Sequence, residues 1–418
     1  MYTFLLDSYH FLRGAGPSLF MGLFVYVWAV WTAKVIVARR YRPFRSDAAV
    51  GLTTSVIVPV YNEPLPVFRR ALASVRANDP TELIAVVDGG DPHLAAVAEE
   101  YCDRVLRIPK AGKRPAIAAG LAASDPRTEV VVVLDSDTVW EEGALREMLR
   151  PFADPRVAGV TPRQAIFDRD ANAIRRLADW IEDLRYHLTI PAQSVFGQIG
   201  CLAGRTIAYR REPFEIAVER MVGQTVFGMS QHVGDDRVLT NELLRRGWRC
   251  VYQSTAVVHT DAPETWLGFW RQQLRWARSS QRETLLSLAW LWRRPVAFGC
   301  FVTDIITPFA VYAVFALAVA HAVTGPSGTP GLALGLEIPL GYVGMLASLG
   351  LRQIPHLRRS HGDLKRLPLF VLQLTFLMVP IRLAGFATML HQSWSSRPVA
   401  SFPTEVLHEA PRPQSAHP

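Results

Sequence analysis

Cysteine is scarce. The four residues, Cys102, Cys201, Cys250 and Cys300, lie far apart and form no CxxC pair. Neither a zinc site nor a disulfide framework is signalled, and a reduced setting with the thiols as small buried hydrophobes fits best. A Walker-type phosphate loop is also missing, because Arg107 stands where its first glycine belongs; ATP hydrolysis has no support. No internal repeat is apparent. Acid is in mild deficit, 37 Asp and Glu against 45 Lys and Arg, for a formal charge of +8. That excess could suit nucleic acid, but many arginines flank apolar blocks, as in Arg39-Arg40-Tyr41-Arg42 and Arg358-Arg359. Such placement follows the positive-inside tendency of membrane proteins. No nucleic-acid partner is expected.

What the chain does have is apolar residues: half of it is hydrophobic and the mean hydropathy is +0.13. They come in blocks. After an N-terminal segment, 1–15, residues 19–38 form a run of about the twenty residues needed to cross a bilayer. No basic cluster precedes this run, which favours an uncleaved anchor over a signal peptide and puts Arg39 onward in the cytoplasm. Residues 296–323 and 332–351 read as further transmembrane helices, with Asp304 and Glu337 either functional or near an interface. The block 368–390 is interrupted by Pro380 and Arg382, and its clean part is too short to span alone; re-entrant, interfacial and transmembrane readings stay open. Residues 402–418 are polar, Pro-rich and expected to be disordered.

Between the blocks the pattern changes. Ser55-Val-Ile-Val-Pro59, Leu83-Ile-Ala-Val-Val87 and Val130-Val-Val-Val-Leu134 read as buried parallel strands, with helical stretches around 65–77, 114–123 and 141–150. The alternation predicts an open α/β sheet over residues 53–262, whose ligand sits outside the carboxyl ends of the strands. Those ends carry Tyr61-Asn62-Glu63, Asp88 and Asp135-Ser-Asp137. Residues 264–292 follow as an amphipathic helix, with Arg271, Arg275, Arg278 and Arg282 on one stripe and Leu267, Trp270, Leu274 and Ala277 on another face. Such a helix suits the membrane interface; a surface helix is the plainer alternative.

Each polar motif has an ordinary reading beside a chemical one. Asp135 and Asp137 can hold a divalent cation, yet acids after strands are common in turns. Asp88-Gly-Gly is equally a good turn. Lys113 and Arg114 offer cations to phosphate oxygens ahead of a helix. Asp235 and Asp236 complement a helix dipole before Val238 to Arg245, or one of them serves as a general base. Gln272, Arg275 and Trp276 share one helix face, where amide, guanidinium and indole can bind a diphosphate and stack on a sugar ring.

In this order the motifs resemble the processive inverting branch of glycosyltransferase family 2, which includes hyaluronan, chitin and cellulose synthases. The resemblance rests on Val58-Pro-Val-Tyr61-Asn-Glu63, Asp88, Gly112-Lys113-Arg114, Asp135-Ser-Asp137, Gly234-Asp-Asp236 and Gln272-Gln-Leu-Arg275-Trp276. It covers residues 53–295 well and continues weakly to 397. Ala192-Gln-Ser-Val-Phe-Gly197, Cys201-Leu-Ala-Gly204 and Gly234-Asp-Asp-Arg-Val-Leu-Thr-Asn241 look most like hyaluronan synthases; the stretch 271–279 is equally like chitin-oligosaccharide synthases.

The resemblance implies a GT-A-like open twisted sheet with transmembrane and interfacial helices, a UDP-sugar donor, a growing glycan acceptor, a lipid bilayer around the anchors, and Mg²⁺ or Mn²⁺. It implies that Tyr61, Glu63 and Asp88 hold the uridine, Lys113 the diphosphate and Asp135 the nucleotide. Asp137 would ligate the metal and Asp236 act as base. Gln272 and Arg275 would serve the donor; Gly204, Asp235 and Trp276 the acceptor. Trp394-Ser-Ser-Arg397 resembles a late Trp-Gly-Thr-Arg gating element with both middle residues changed. Fewer transmembrane segments than the family's usual set point to a homodimer or an export partner.

Overall fold

The computed structural model describes residues 22–324 and 338–391. Its centre is an eight-stranded sheet built from β1 (Thr54–Val60), β2 (Glu82–Asp88), β3 (Arg104–Ile108), β4 (Val130–Leu134), β5 (Val139–Trp140), β6 (Val157–Ile166), β7 (Thr206–Arg210) and, after a small hairpin of β8 (Thr225–Val226) and β9 (Met229–Ser230), β10 (Arg249–Thr260). The spatial order is β3-β2-β1-β4-β7-β6-β10-β5. The parallel strands expected from the sequence are β1, β2 and β4, with β3 joining them. The sheet as a whole is mixed, because β7 runs antiparallel to both β4 and β6.

Alternation of side chains explains why this sheet is covered twice. Val56 and Val58 pack with Phe68 and Leu72 of α2 (Leu65–Arg76) and with Leu94 of α3 (Pro92–Glu99). Ile57, one residue out of phase, packs with Ile117 of α4 (Lys113–Ala123) in a second cluster. That cluster also holds Phe214 of α8 (Arg211–Val222) and Leu243 of α9 (Asp235–Arg245). A period of two thus feeds two layers, and strands such as β4, buried throughout, need no polar face.

Where they are described, the apolar blocks are helical. The helix Gly22–Ala38 is α1; α10 runs over Trp266–Leu291 and α11 over Pro295–Thr324. Among the described residues two stretches are long and apolar enough to cross a membrane: Pro295–Val314, mean hydropathy 1.6, and His361–Ala387, mean hydropathy 1.8. The helix Ile338–Leu351 is the described part of the predicted segment 332–351. Tyr26 and Trp28 of α1 hydrogen-bond Thr303 at 2.7 Å and Ser348 at 2.9 Å. Pro380 does not break the last segment as its sequence suggests. A π-helical turn at Leu374–Met378 precedes it, and the wider turn accommodates a residue that has no N–H and crowds the preceding carbonyl.

The basic stripe of α10 is also revised. Arg282 is only 3% exposed and donates to the Val233 carbonyl at 2.9 Å, beside Glu283 at 3.2 Å. This end of the stripe faces protein. Glu337, Trp394, Arg397 and the segments 1–15 and 402–418 lie outside the described residues.

Candidate active site

Four segments converge at the carboxyl edge of the sheet. The first is the tip of β4. The Asp135 amide is fixed by the Arg205 carbonyl at 2.9 Å, and Ser136 Oγ donates to Glu63 Oε2 at 2.8 Å, tying the tips of β4 and β1. Asp137 is pushed up to about 7, by burial first and then by the charges of Asp135 and Glu63.

The second segment is the start of α4. Asp88 accepts the amides of Ala111 at 2.6 Å and Gly112 at 2.9 Å, so its carboxylate shapes the loop that presents Lys113. Lys113 Nζ lies 2.6 Å from Asp135 and 3.0 Å from Asp235. Burial disfavours its ammonium, but those two carboxylates outweigh it and raise its affinity for the proton. Arg114, expected to face phosphate, does not. It is buried, and its guanidinium donates to the Met221 and Val233 carbonyls and to Gln224. Burial lowers it to about 10.

The third is the start of α9. Gly234 takes φ 85° as the residue before the helix, a left-handed conformation that side chains resist. The turn makes Asp235 and Asp236 the first helical residues, and Asp236 Oδ1 accepts the Arg237 amide at 2.7 Å in the first turn. Their environments differ. Burial works against both carboxylates; Lys113 wins over it at Asp235, whose pKa falls. At Asp236 burial and the neighbouring Asp235 prevail, and its pKa rises. Asp236 Oδ2 accepts the Gly204 amide at 3.2 Å and faces the Cys201 thiol at 3.7 Å. None of the four cysteines is in a disulfide, and Cys201 is part of this site rather than a mere core filler.

The fourth is α10. Gln272, Arg275 and Trp276 line one cavity of about 700 Å³ together with Lys113, Asp135, Asp137, Gly204, Asp235 and Asp236. Most of the residues singled out in the sequence therefore meet. Tyr61, Glu63 and Asp88 are not in its lining. Lys110 sits over the Tyr61 ring, 4.7 Å from its centroid, and Glu63 is tied to the β4 tip through Ser136. Sequence reasoning missed Glu182, Arg185 and Arg205, which also line it. They are scattered single charges that only the fold assembles.

The donor set suits a divalent cation in one specific way. Among the described residues no three His, Cys, Asp or Glu side chains are grouped to hold an ion. Yet Asp137 carries a charge that its acidic neighbours resist, which a cation would relieve. An ion here would take one or two carboxylates and need substrate oxygens to complete its shell.

Comparison with known proteins bears on the fold and the family. The chain is 28% identical over 377 residues to a hyaluronan synthase of Streptococcus pyogenes serotype M3, covering 85% of this chain and 86% of that one. It is 28% identical to an N-acetylglucosaminyltransferase of Sinorhizobium fredii over 86% of this chain and 88% of that one. A similar enzyme of Azorhizobium caulinodans is 31% identical over 56% of this chain and 61% of its own. Among solved structures, the mannosyltransferase PcManGT from Pyrobaculum calidifontis, in complex with GDP-Man and Mn²⁺, shares the fold: TM-score 0.64, 19% identity, 92% of this chain and 100% of that one. Residues 52–279, over half the chain, match the family model described as "Glycosyltransferase like family 2", and the chain belongs to that family.

Proposed function

We propose that this chain is a membrane-embedded, inverting, processive glycosyltransferase that extends a β-linked glycan from UDP-sugars, with its catalytic domain at the cytoplasmic face and a hyaluronan-like product. The observation that carries the proposal is the shared cavity: Asp137, Asp236 and the Gln272/Arg275/Trp276 face line the same space. Lys113 and Arg275 bind the donor diphosphate, and Gln272 helps to seat it; Tyr61, Glu63 and Asp88 shape the nucleoside end. Mg²⁺ or Mn²⁺ held by Asp137 would neutralise charge on the diphosphate. Trp276 carries the terminal acceptor sugar. Asp236, whose raised proton affinity suits a base, takes the acceptor hydroxyl proton as that oxygen bonds to the anomeric carbon and UDP leaves with the electron pair. Asp235 stays paired with Lys113, so the two adjacent acids divide their roles through environment.

One further observation favours an acidic product over a neutral chitin-type chain. The cavity lining also includes Lys34, Arg352 and Arg382 from the apolar blocks and their flanks. Trp31 Nε1 and Thr307 Oγ1, in the same lining, are buried without a hydrogen-bond partner. Polar atoms left unsatisfied among apolar helices suit a hydroxylated occupant, and cations suit one bearing carboxylates. This supports export of the glycan along the same helices, with or without a second copy or partner.

The test supplies membranes with UDP-GlcNAc alone, UDP-GlcA alone, and both, with Mg²⁺ or Mn²⁺. Polymer only with both donors supports the reading. Product from UDP-GlcNAc alone would move the assignment to a chitin-type synthase, and UDP release without polymer to transfer onto lipid.

A further inference from the structure

Arg205 directly follows Gly204 in the cavity wall, and its carbonyl accepts the Asp135 amide, so its backbone is tied to the β4 tip. Its side chain bridges three other elements. Nη1 lies 3.1 Å from Glu182 Oε1 on α6 (Ala173–Leu184) and donates to Gln164 Oε1 on β6 at 3.3 Å. The guanidinium carbon stands 5.5 Å from the Trp276 ring centroid on α10. Gln164 is itself held by donating to the Ala203 carbonyl at 3.1 Å. The side chains of Arg205 and Glu182 are 11% and 7% exposed. A buried arginine is costly unless paired, and this one is paired on one side while facing an indole on the other.

We propose that Arg205 is a positioning residue: locked by Glu182 and Gln164, its guanidinium fixes the Trp276 indole relative to the β4 tip and so sets where the acceptor sugar rests. The proposal rests on the glycosyltransferase reading above. Planarity matters to it. A guanidinium can present a face to an aromatic ring while its edge binds carboxylate and amide, whereas an ammonium is a point charge that cannot do both. If the indole is loosened, the acceptor hydroxyl misses its approach to the anomeric carbon. Water then takes its place: its oxygen bonds to the anomeric carbon, its proton goes to Asp236, and UDP leaves. Donor is consumed without chain growth.

The readout is the ratio of UDP released to sugar incorporated, measured on the full chain in membranes. Wild type should give a ratio near one. Arg205→Lys should raise it about five-fold or more, with donor KM changed by no more than about two-fold. A Glu182→Gln/Arg205→Met double variant removes both buried charges together, which guards against simple misfolding, and should uncouple transfer in the same way. A lysine variant that keeps the wild-type ratio overturns the proposal, as does a double variant that loses UDP release and incorporation in parallel. Wild-type membranes that release no UDP from any donor would instead sink the glycosyltransferase reading, a distinguishable result.

Discussion

Gly204 and Asp236 are in direct contact: the glycine amide donates to the aspartate Oδ2 at 3.2 Å, and a Cβ built on Gly204 would lie 3.3 Å from the Asp236 Cβ. The same added carbon would stand 3.5 Å from Lys113 Nζ. A side chain at 204 therefore presses on the proposed base and only touches the Lys113 ammonium.

Gly204→Ala should lower kcat by about 10- to 100-fold, the scale of a sub-ångström to one-ångström misplacement of a catalytic group. UDP binding should change far less, because Asp135, Asp137 and Arg275 keep their places. Steady-state kinetics beside UDP titration check this. Equal losses in both would assign Gly204 to donor binding instead.

Metal binding should be linked to pH through Asp137. Its carboxyl rises from an ordinary value of 3.8 to about 7, chiefly by burial. Between those values the folded chain holds a proton that the unfolded chain has lost, so this group's contribution to stability falls as pH rises from about 4 to about 7 and stays low above that. A cation replaces the proton. With UDP present throughout, the rise in Tm caused by Mn²⁺ should be larger at about pH 8 than at about pH 5.5. Asp137→Asn should flatten the difference. An equal Mn²⁺ effect at both pH values in the wild type would refute the linkage.

The legible part of this protein was its strand tips. Valine-rich runs ending in Glu63, Asp88 and Asp137 announce both the strands and the edge where a site belongs, because burial and chemistry alternate along the chain there. The antiparallel entry of β7 was not legible, since a short strand such as Thr206–Arg210 has no periodicity of its own and is placed by its neighbours. Arg114 was misread for a related reason. Beside Lys113 it looks like a second phosphate cation, and only the third dimension turns it toward the carbonyls of Met221 and Val233. Arg205 carried no signal at all, as its partners Gln164, Glu182 and Trp276 come from three separate elements.

The α10 face that bears Gln272, Arg275 and Trp276 is seated by a close helix crossing. A Cβ on Gly385 would come within 2.6 Å of the Ala277 Cβ and 3.3 Å of α10 backbone. Gly385→Val should force the helices apart at a cost of about 1–3 kcal/mol, the usual range for overpacking. It should also reduce transfer, since Ala277 adjoins Trp276. Thermal melts and incorporation assays on the purified chain test both parts; a variant as stable and active as wild type would show that the crossing is free to relax.

A buried charge helps to join the catalytic domain to the last apolar segment. Asp363 is fully buried and meets Arg169, Arg176 at 2.8 Å and His356 Nε2 at 3.0 Å. On the other side of the ring, His356 Nδ1 lies 2.8 Å from Asp183, and Trp180 stacks between His356 and Phe370. Burial raises the Asp183 pKa, but bonds from His187, His356 and Arg359 outweigh it, so its carboxylate is held ionised well below the usual range. Removing one partner from such a cluster strands the others without water. Asp363→Asn should therefore cost about 3–5 kcal/mol. Glu100→Gln, which breaks the exposed Arg69 pair with both side chains 46% exposed, should leave the melting temperature close to that of the wild type. Stability should also fall with acid, because the contribution of Asp183 is present above its unfolded pKa and is lost as pH drops through the lower folded value. If Asp363→Asn melted with the wild type while Glu100→Gln did not, the domain would have to be held to its apolar segment by contacts other than this charge, such as the packing around Trp180.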